Sequence, residues 1–217
     1  MTDFVHARKT MVDNQLRTSG VTDHRLLGAM GEVPREAFVP EVRQALAYID
    51  AALPLGHGRS LGAPAPFAKL VQLAAIEGHE HVLDVGCGSG YSAAVLGKLA
   101  ASVVAVEDNA ALAAAARRAL AAAGAANVTL VEGALDKAGV AHGPYDAIVV
   151  EGVVDEVPAA ILQQLKPEGR LVALVAAPGE VPVAHLFAKS GKGIASSAAF
   201  DARLPRLEAP ADPGFVF

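Results

Sequence analysis

The stretch that constrains this chain most is Val82-Leu83-Asp84-Val85-Gly86-Cys87-Gly88-Ser89-Gly90. Its alternating apolar residues predict a strand, and three glycines at every second position predict a tight turn leaving it. Tyr91 to Leu99 then predicts a helix. A strand, a glycine turn and a helix start aim backbone N–H groups at whatever binds there, and glycine lets that ligand approach closely.

The elements around this turn repeat its theme. Strands are expected at His81–Val85, Ser102–Glu107, Asn127–Val131, Tyr145–Glu151 and Gly169–Ala176, with helices at Tyr91–Leu99, Asn109–Ala123 and Pro158–Leu165 between them. Strands alternating with helices imply βαβ units and a doubly wound α/β architecture with a mainly parallel sheet. Asp108 or Asn109 caps the alanine-rich helix, and Gly124 stops it. Val183–Lys189 and Ile194–Phe200, separated by Ser190-Gly191-Lys192-Gly193, predict a closing antiparallel hairpin.

Upstream, Phe4–Arg17 predicts an amphipathic helix ended near Gly20, and Thr22 an N-cap for a second helix stopping by Pro34. Pro34 to Pro40 has room for one helical turn, and Glu41–Tyr48 for a short helix. Leu53–Pro66, with three glycines and three prolines, predicts an ordered loop that covers something, before a helix at Phe67–Glu77. The division expected is a helical segment and acceptor-side loop (1–66), a core (67–200) and a tail (201–217) within one globular unit. Phe215-Val216-Phe217 is placed as a packing segment or edge strand.

Charge and composition exclude several classes. A net charge of -5 with scattered Lys and Arg argues against a nucleic-acid partner held through phosphates. No apolar run approaches the roughly 18 residues that span a bilayer, and Met1–Thr10 lacks the apolar stretch of a secretory signal. The single cysteine, Cys87, rules out an internal disulfide and fits a reducing compartment, so a soluble cytoplasmic protein is expected. The seven histidines show no metal spacing.

Two acids give the turn its chemistry. Asp84 lies two residues before the first glycine, and Glu107 ends the next strand, 21 residues beyond Gly86. That is the spacing of a ribose-binding carboxylate, which accepts hydrogen bonds from both ribose hydroxyls. The pattern D-x-G-x-G-x-G resembles motif I of the class I S-adenosyl-L-methionine-dependent methyltransferases, which share a Rossmann-like sheet. The resemblance implies that cofactor and a contact set of Asp84, Gly86, Cys87, Gly88, Gly90, Glu107, Asp108, Gly133 and Ala134. Tyr145-Asp146-Ala147-Ile148 and Leu165–Val172 resemble the fourth strand and the turn before the fifth in the same superfamily.

Met11–Arg17, Val33-Pro34-Arg35-Glu36-Ala37-Phe38-Val39-Pro40 and Leu53-Pro54-Leu55-Gly56-His57-Gly58 narrow this further. They resemble the protein-L-isoaspartate O-methyltransferases, with the likeness running from about Met11 to Val172. That family methylates the α-carboxyl of an isoaspartyl residue, which begins its repair, so a carboxylate on a protein or small molecule is the implied acceptor. The chain is a divergent member on this reading. Where the family has T-I-S-Q-P, with its signature serine, this chain has Ser60-Leu61-Gly62-Ala63-Pro64, and Gly62 stands in the serine position. Glu151-Gly152-Val153 replaces the family's T-A-A, and Glu132-Gly133-Ala134 its G-D-G, so the acid paired with the adenine amino group is displaced or missing. His57 replaces a tyrosine and is assigned to loop packing.

A carboxylate acceptor, with a pKa near 4, is already ionised and needs no general base. Positioning and exclusion of water then carry the catalysis. For an amine or hydroxyl acceptor, Glu151 is the candidate base, and Ser60 and Glu151 are the candidate catalytic side chains. Two alternatives stay open: the same fold and cofactor with another acceptor, or an inactive cofactor-binding relative.

Overall fold

The computed structural model describes residues 3–207. Phe215-Val216-Phe217 lies outside them. The elements in chain order are α1 (Phe4–Met11), α2 (His24–Glu32), β1 (Leu53–Gly56), β2 (Arg59–Leu61), α3 (Pro64–Ala74), β3 (His81–Val85), α4 (Tyr91–Leu99), β4 (Ser102–Glu107) and α5 (Ala110–Ala122). They continue with β5 (Val128–Glu132), β6 (Tyr145–Val154), α6 (Ala159–Leu162), β7 (Leu165–Val175), β8 (Val183–Ser190) and β9 (Gly193–Asp201).

Seven strands form one sheet in the order β5-β4-β3-β6-β7-β8-β9. The first five in that order run parallel, and β8 and β9 close the sheet as an antiparallel hairpin. From β3 the chain winds out to β5, then returns to place β6 on the other side of β3. That reversal opens a crevice at the carboxyl ends of β3 and β6, where open α/β sheets bind ligands. Alternate strand residues face opposite sides. Val82, Ala105, Ala147 and Val172 pack under the helices, while Leu83, Val104, Ile148 and Leu171 face Leu135, Ile161 and Leu207. Among the described residues no helix is long and apolar enough to cross a membrane.

Several boundaries differ from expectation, each for a local reason. The first helix changes pitch: after Met11 it passes into a π turn at Val12–Leu16 and a 3-10 turn at Arg17–Ser19. Asp23, not Thr22, caps α2, its carboxylate accepting from the N–H groups of Arg25 and Leu26, while the Thr22 N–H donates to Gln72. Helix α3 begins at Pro64, because proline is tolerated in the first turn, and ends where Ala75 turns left-handed at φ 47°. The expected loop at Leu53–Pro66 is instead mostly a two-stranded hairpin, with Leu53 opposite Leu61 and Pro54 opposite Ser60. His57 sits exposed at its tip with φ 54°, beside Gly58 at φ 74°, rather than packing. Strand β6 runs on to Val154, and α6 is only Ala159–Leu162 because β7 starts at Leu165.

Candidate functional site

The glycine turn does what its composition requires. Gly86, Gly88 and Gly90 all have positive φ (79°, 55° and 90°), which other residues adopt only with strain. Gly90 is the N-cap of α4, and a methyl group there would lie 3.2 Å from both Ala116 Cβ and Leu120 Cγ of α5. Its place in the pattern is therefore set by helix packing, whereas Gly86 and Gly88 face the crevice. The Gly86 and Cys87 N–H groups donate to the Val106 carbonyl, tying the turn to the end of β4. Cys87 is buried, and that burial together with the acids around it pushes its thiol well above the ordinary value.

Three carboxyl groups converge on the turn. Asp84, at the end of β3, is fully buried; its Oδ2 accepts from Ser92 Oγ at 2.7 Å, and its Oδ1 has no hydrogen-bond partner. Burial raises its pKa to about 7, the Ser92 hydrogen bond opposing and the nearby Glu107 charge reinforcing that rise. Glu107, also fully buried, accepts at Oε2 from the Gly88 N–H (2.7 Å) and Arg59 Nη2 (3.0 Å), and at Oε1 from the Asn109 N–H (3.1 Å). Its pKa is raised by burial, with the Arg59 guanidinium and the backbone donors pulling the other way. Glu151, on β6, has a buried and unpartnered Oε1, and burial, then Asp84, holds its carboxyl well above the usual range. A carboxyl group pushed by burial toward its neutral form repels an anionic acceptor less than an exposed carboxylate would.

A cavity of about 620 Å³ lies beyond these groups, lined in part by Val85, Asp108, Ala134, Asp136, Val150 and Leu207. Asp108 and Ala134 thus share it, and Gly133 is tied to the end of β4 through its N–H and the Glu107 carbonyl. Asp136 also lines the cavity, two residues beyond Ala134, a residue the sequence reading did not single out.

Sequence reasoning missed Arg59 and Leu207. Arg59 leaves the hairpin tip on β2, reaches Glu107 and also donates to the Leu207 carbonyl; Asp108 Oδ1 is 3.8 Å away. Leu207 Cδ1 lies so close to Gly86 that a side chain at that position would collide with it. The Arg59 signal is that it is the one Lys or Arg between Leu53 and Pro66; Leu207 carries none, since its contact spans the whole core. Both side chains end in rotatable atoms, and beneath them lie an unpartnered Asp84 oxygen, the Glu107 carboxylate and Gly86. Ser60 is half-buried on β2, paired with Pro54, and Gly62 accepts from Arg35 Nη2 through its carbonyl (2.6 Å).

A family model described as protein-L-isoaspartate(D-aspartate) O-methyltransferase (PCMT) matches residues 6–201. Protein-L-isoaspartate O-methyltransferase 2 of Anaeromyxobacter sp. (strain Fw109-5) is 41% identical over 186 residues, which is 86% of this chain and 76% of the relative. A solved protein-L-isoaspartate O-methyltransferase, 27% identical, superposes with a TM-score of 0.79 over 95% of this chain and 67% of its own. A beta-aspartate methyltransferase (PCMT) from Plasmodium falciparum, in complex with S-adenosyl-L-homocysteine, matches with a TM-score of 0.80 at 20% identity, over 93% of this chain and 98% of its own. The last likeness is one of fold.

Proposed function

Because the chain belongs to the protein-L-isoaspartate(D-aspartate) O-methyltransferase family, we propose that it transfers a methyl group from S-adenosylmethionine to a carboxylate on a protein, an isoaspartyl side product of ageing being the first acceptor to test. The observation that carries this reading is the pair of buried acids flanking the glycine turn, with one Asp84 oxygen left without a partner. A buried oxygen without a partner costs about 1–3 kcal/mol, and a cationic ligand group arriving there recovers it.

When bound, S-adenosylmethionine supplies a methyl group activated on a sulfonium sulfur. The chain's own residues then bind and orient. Glu107 would offer its carboxylate to the ribose hydroxyls, Gly86 and Gly88 would let the backbone approach, and Asp84 would hold the amino-acid end. Asp108, Ala134 and Asp136, which line the neighbouring cavity, would hold the base. An acceptor carboxylate would bring its own electron pair to the activated methyl group, the sulfur keeping the pair of the broken C–S bond. No proton moves, so neither Ser60 nor Glu151 needs to act as a base. The net charge of -5 with scattered Lys and Arg favours a protein acceptor over a nucleic acid, and the single buried Cys87 suits the cytoplasm.

Calorimetric titration with S-adenosylhomocysteine tests the cofactor half: the wild type binds, and Glu107→Ala loses at least ten-fold in affinity. Transfer of labelled methyl to an isoaspartyl peptide, but not to its aspartyl isomer, tests the acceptor half. Absence of binding in the wild type ends the whole reading; binding without transfer to that peptide ends the isoaspartyl assignment alone.

A further inference from the structure

We propose that Leu204 is a specificity-determining residue of the acceptor site, and that it acts as one unit with Gly62, the position at which the family carries a serine. The inference rests on the methyltransferase reading above and deepens it.

Gly62 is not required by the path of the chain, since its φ lies outside the left-handed region. It is required by space. A methyl group added there would lie 2.6 Å from Leu204 Cδ2, far inside van der Waals contact. The Leu204 side chain is half-buried, so its methyl end has to turn aside before a side chain can stand at position 62, while the backbone on both sides is held. The Gly62 carbonyl is held by Arg35, a fully buried arginine that also donates to the Ala47 carbonyl at 2.7 Å. Leu204 opens a strap, Leu204–Leu207, that lies along the end of β6. There the Val153 N–H donates to the Pro205 carbonyl and the Leu207 N–H to the Val153 carbonyl, both at 3.0 Å. Arg206 fastens the strap further through Asp155 (2.5 Å) and the Ala176 carbonyl (2.7 Å).

A second departure from the family fits the same strap. Gly152 follows Glu151 on β6, and a methyl group there would lie 2.8 Å from the Pro205 oxygen. The two glycines at the acceptor border, Gly62 and Gly152, thus make room for consecutive residues of one segment.

The strap also stands between two cavities. The one of about 620 Å³ reaches Arg206 and Leu207 from the cofactor side. A second, of about 780 Å³, is lined by Ala63, Lys69, Arg203, Leu204 and Pro205 among others. An acceptor entering from the second cavity passes Lys69 and Arg203 together with Asp50 and Asp201, and then meets the methyl groups of Leu204 where the family offers a hydroxyl. Selection at this point is by apolar fit against Leu204 rather than by a hydrogen bond from position 62. The acceptor class is a carboxylate whose neighbouring atoms are apolar, presented without need of a donor there.

A double-mutant cycle tests the unit. Gly62→Ser, Leu204→Ala and the pair are compared with the wild type for melting temperature, S-adenosylhomocysteine affinity, and KM and kcat with an isoaspartyl peptide. Gly62→Ser alone is expected to lower the melting temperature, and Leu204→Ala in the same chain to remove most of that loss. The double variant is expected to change KM for the peptide, or to gain measurable transfer where the wild type has none, by ten-fold or more. Its S-adenosylhomocysteine affinity stays within two-fold. Two results overturn the proposal: Gly62→Ser destabilising equally in both backgrounds, or a folded, S-adenosylhomocysteine-binding double variant with unaltered peptide kinetics. A wild type that fails to bind S-adenosylhomocysteine defeats the methyltransferase reading instead, and the melting data separate the two failures.

Discussion

Asp84 shows how a single carboxyl group ties stability to ligand. It is fully buried with one oxygen unpartnered, and its pKa rises to about 7 from an ordinary 3.8, chiefly through burial. The folded chain therefore binds a proton there that the unfolded chain has released, over the range between those two values. Stability from this group is complete at low pH and declines as pH rises through about 7. Burial shifts Glu107 and Glu151 the same way, whereas Asp13, Glu80 and Asp146, whose pKa values are lowered, act below the ordinary carboxylate range. Melting temperatures of the ligand-free protein are accordingly expected to fall between about pH 4 and 7, and Asp84→Asn to flatten that fall. A wild type whose melting temperature rises over the same interval contradicts the assignment. The place of Asp84 before the glycines was legible in the sequence; the upward shift of its pKa was not, because the burial comes from β4 and β6 on either side of β3 and the neighbouring charge is Glu107 at the end of β4.

At the scale of elements, the strand–turn–helix unit of β3 and α4 was readable because its signals are local: alternation, three glycines, then helix-forming residues. Gly90 carries the strongest consequence. Its φ of 90° disfavours any side chain by about 1–2 kcal/mol, and contact with Ala116 and Leu120 adds about 1–3 kcal/mol of crowding. Gly90→Ala is expected to lower the melting temperature by roughly 4 to 20 °C, at about 2–4 °C per kcal/mol for a chain of this size. A shift under a degree, followed by circular dichroism, would show that α5 yields without cost. The β1–β2 hairpin shows the opposite case. Its glycines and prolines mark a loop by composition, and only pairing of Leu53 with Leu61 makes strands of it. Pairing is decided by what lies beneath: Leu53 is buried in the core, and Leu55 and Leu61 pack on it.

For the molecule as a whole, the topological reversal between β3 and β6 gathers residues from β2, β3, β4, the β5–β6 connection, β6 and the segment after β9 around one crevice. A ligand bound there bridges most of the fold, so S-adenosylhomocysteine at 100 times its Kd is expected to stabilise by about 2.7 kcal/mol. A thermal-shift assay should register this as a rise of about 5–10 °C; no shift at saturation contradicts a cofactor site in this crevice. The order of strands and helices, the donor and the family were all written in short-range patterns: alternating apolar residues, glycine spacing, and an acid 21 residues from the first glycine. Such features depend on neighbours within a turn or a strand, and a linear reading reaches them. What stands against Gly62, Gly86 and Gly152 is a different matter. Leu204, Pro205 and Leu207 arrive there from the far end of the chain, with no sequence periodicity to announce them. Local patterns could specify a glycine turn with an acid on either side; only tertiary packing could decide that Arg59 and Leu207 rest on it, and that Leu204 stands against Gly62, because those contacts exist solely where the completed sheet brings distant segments together.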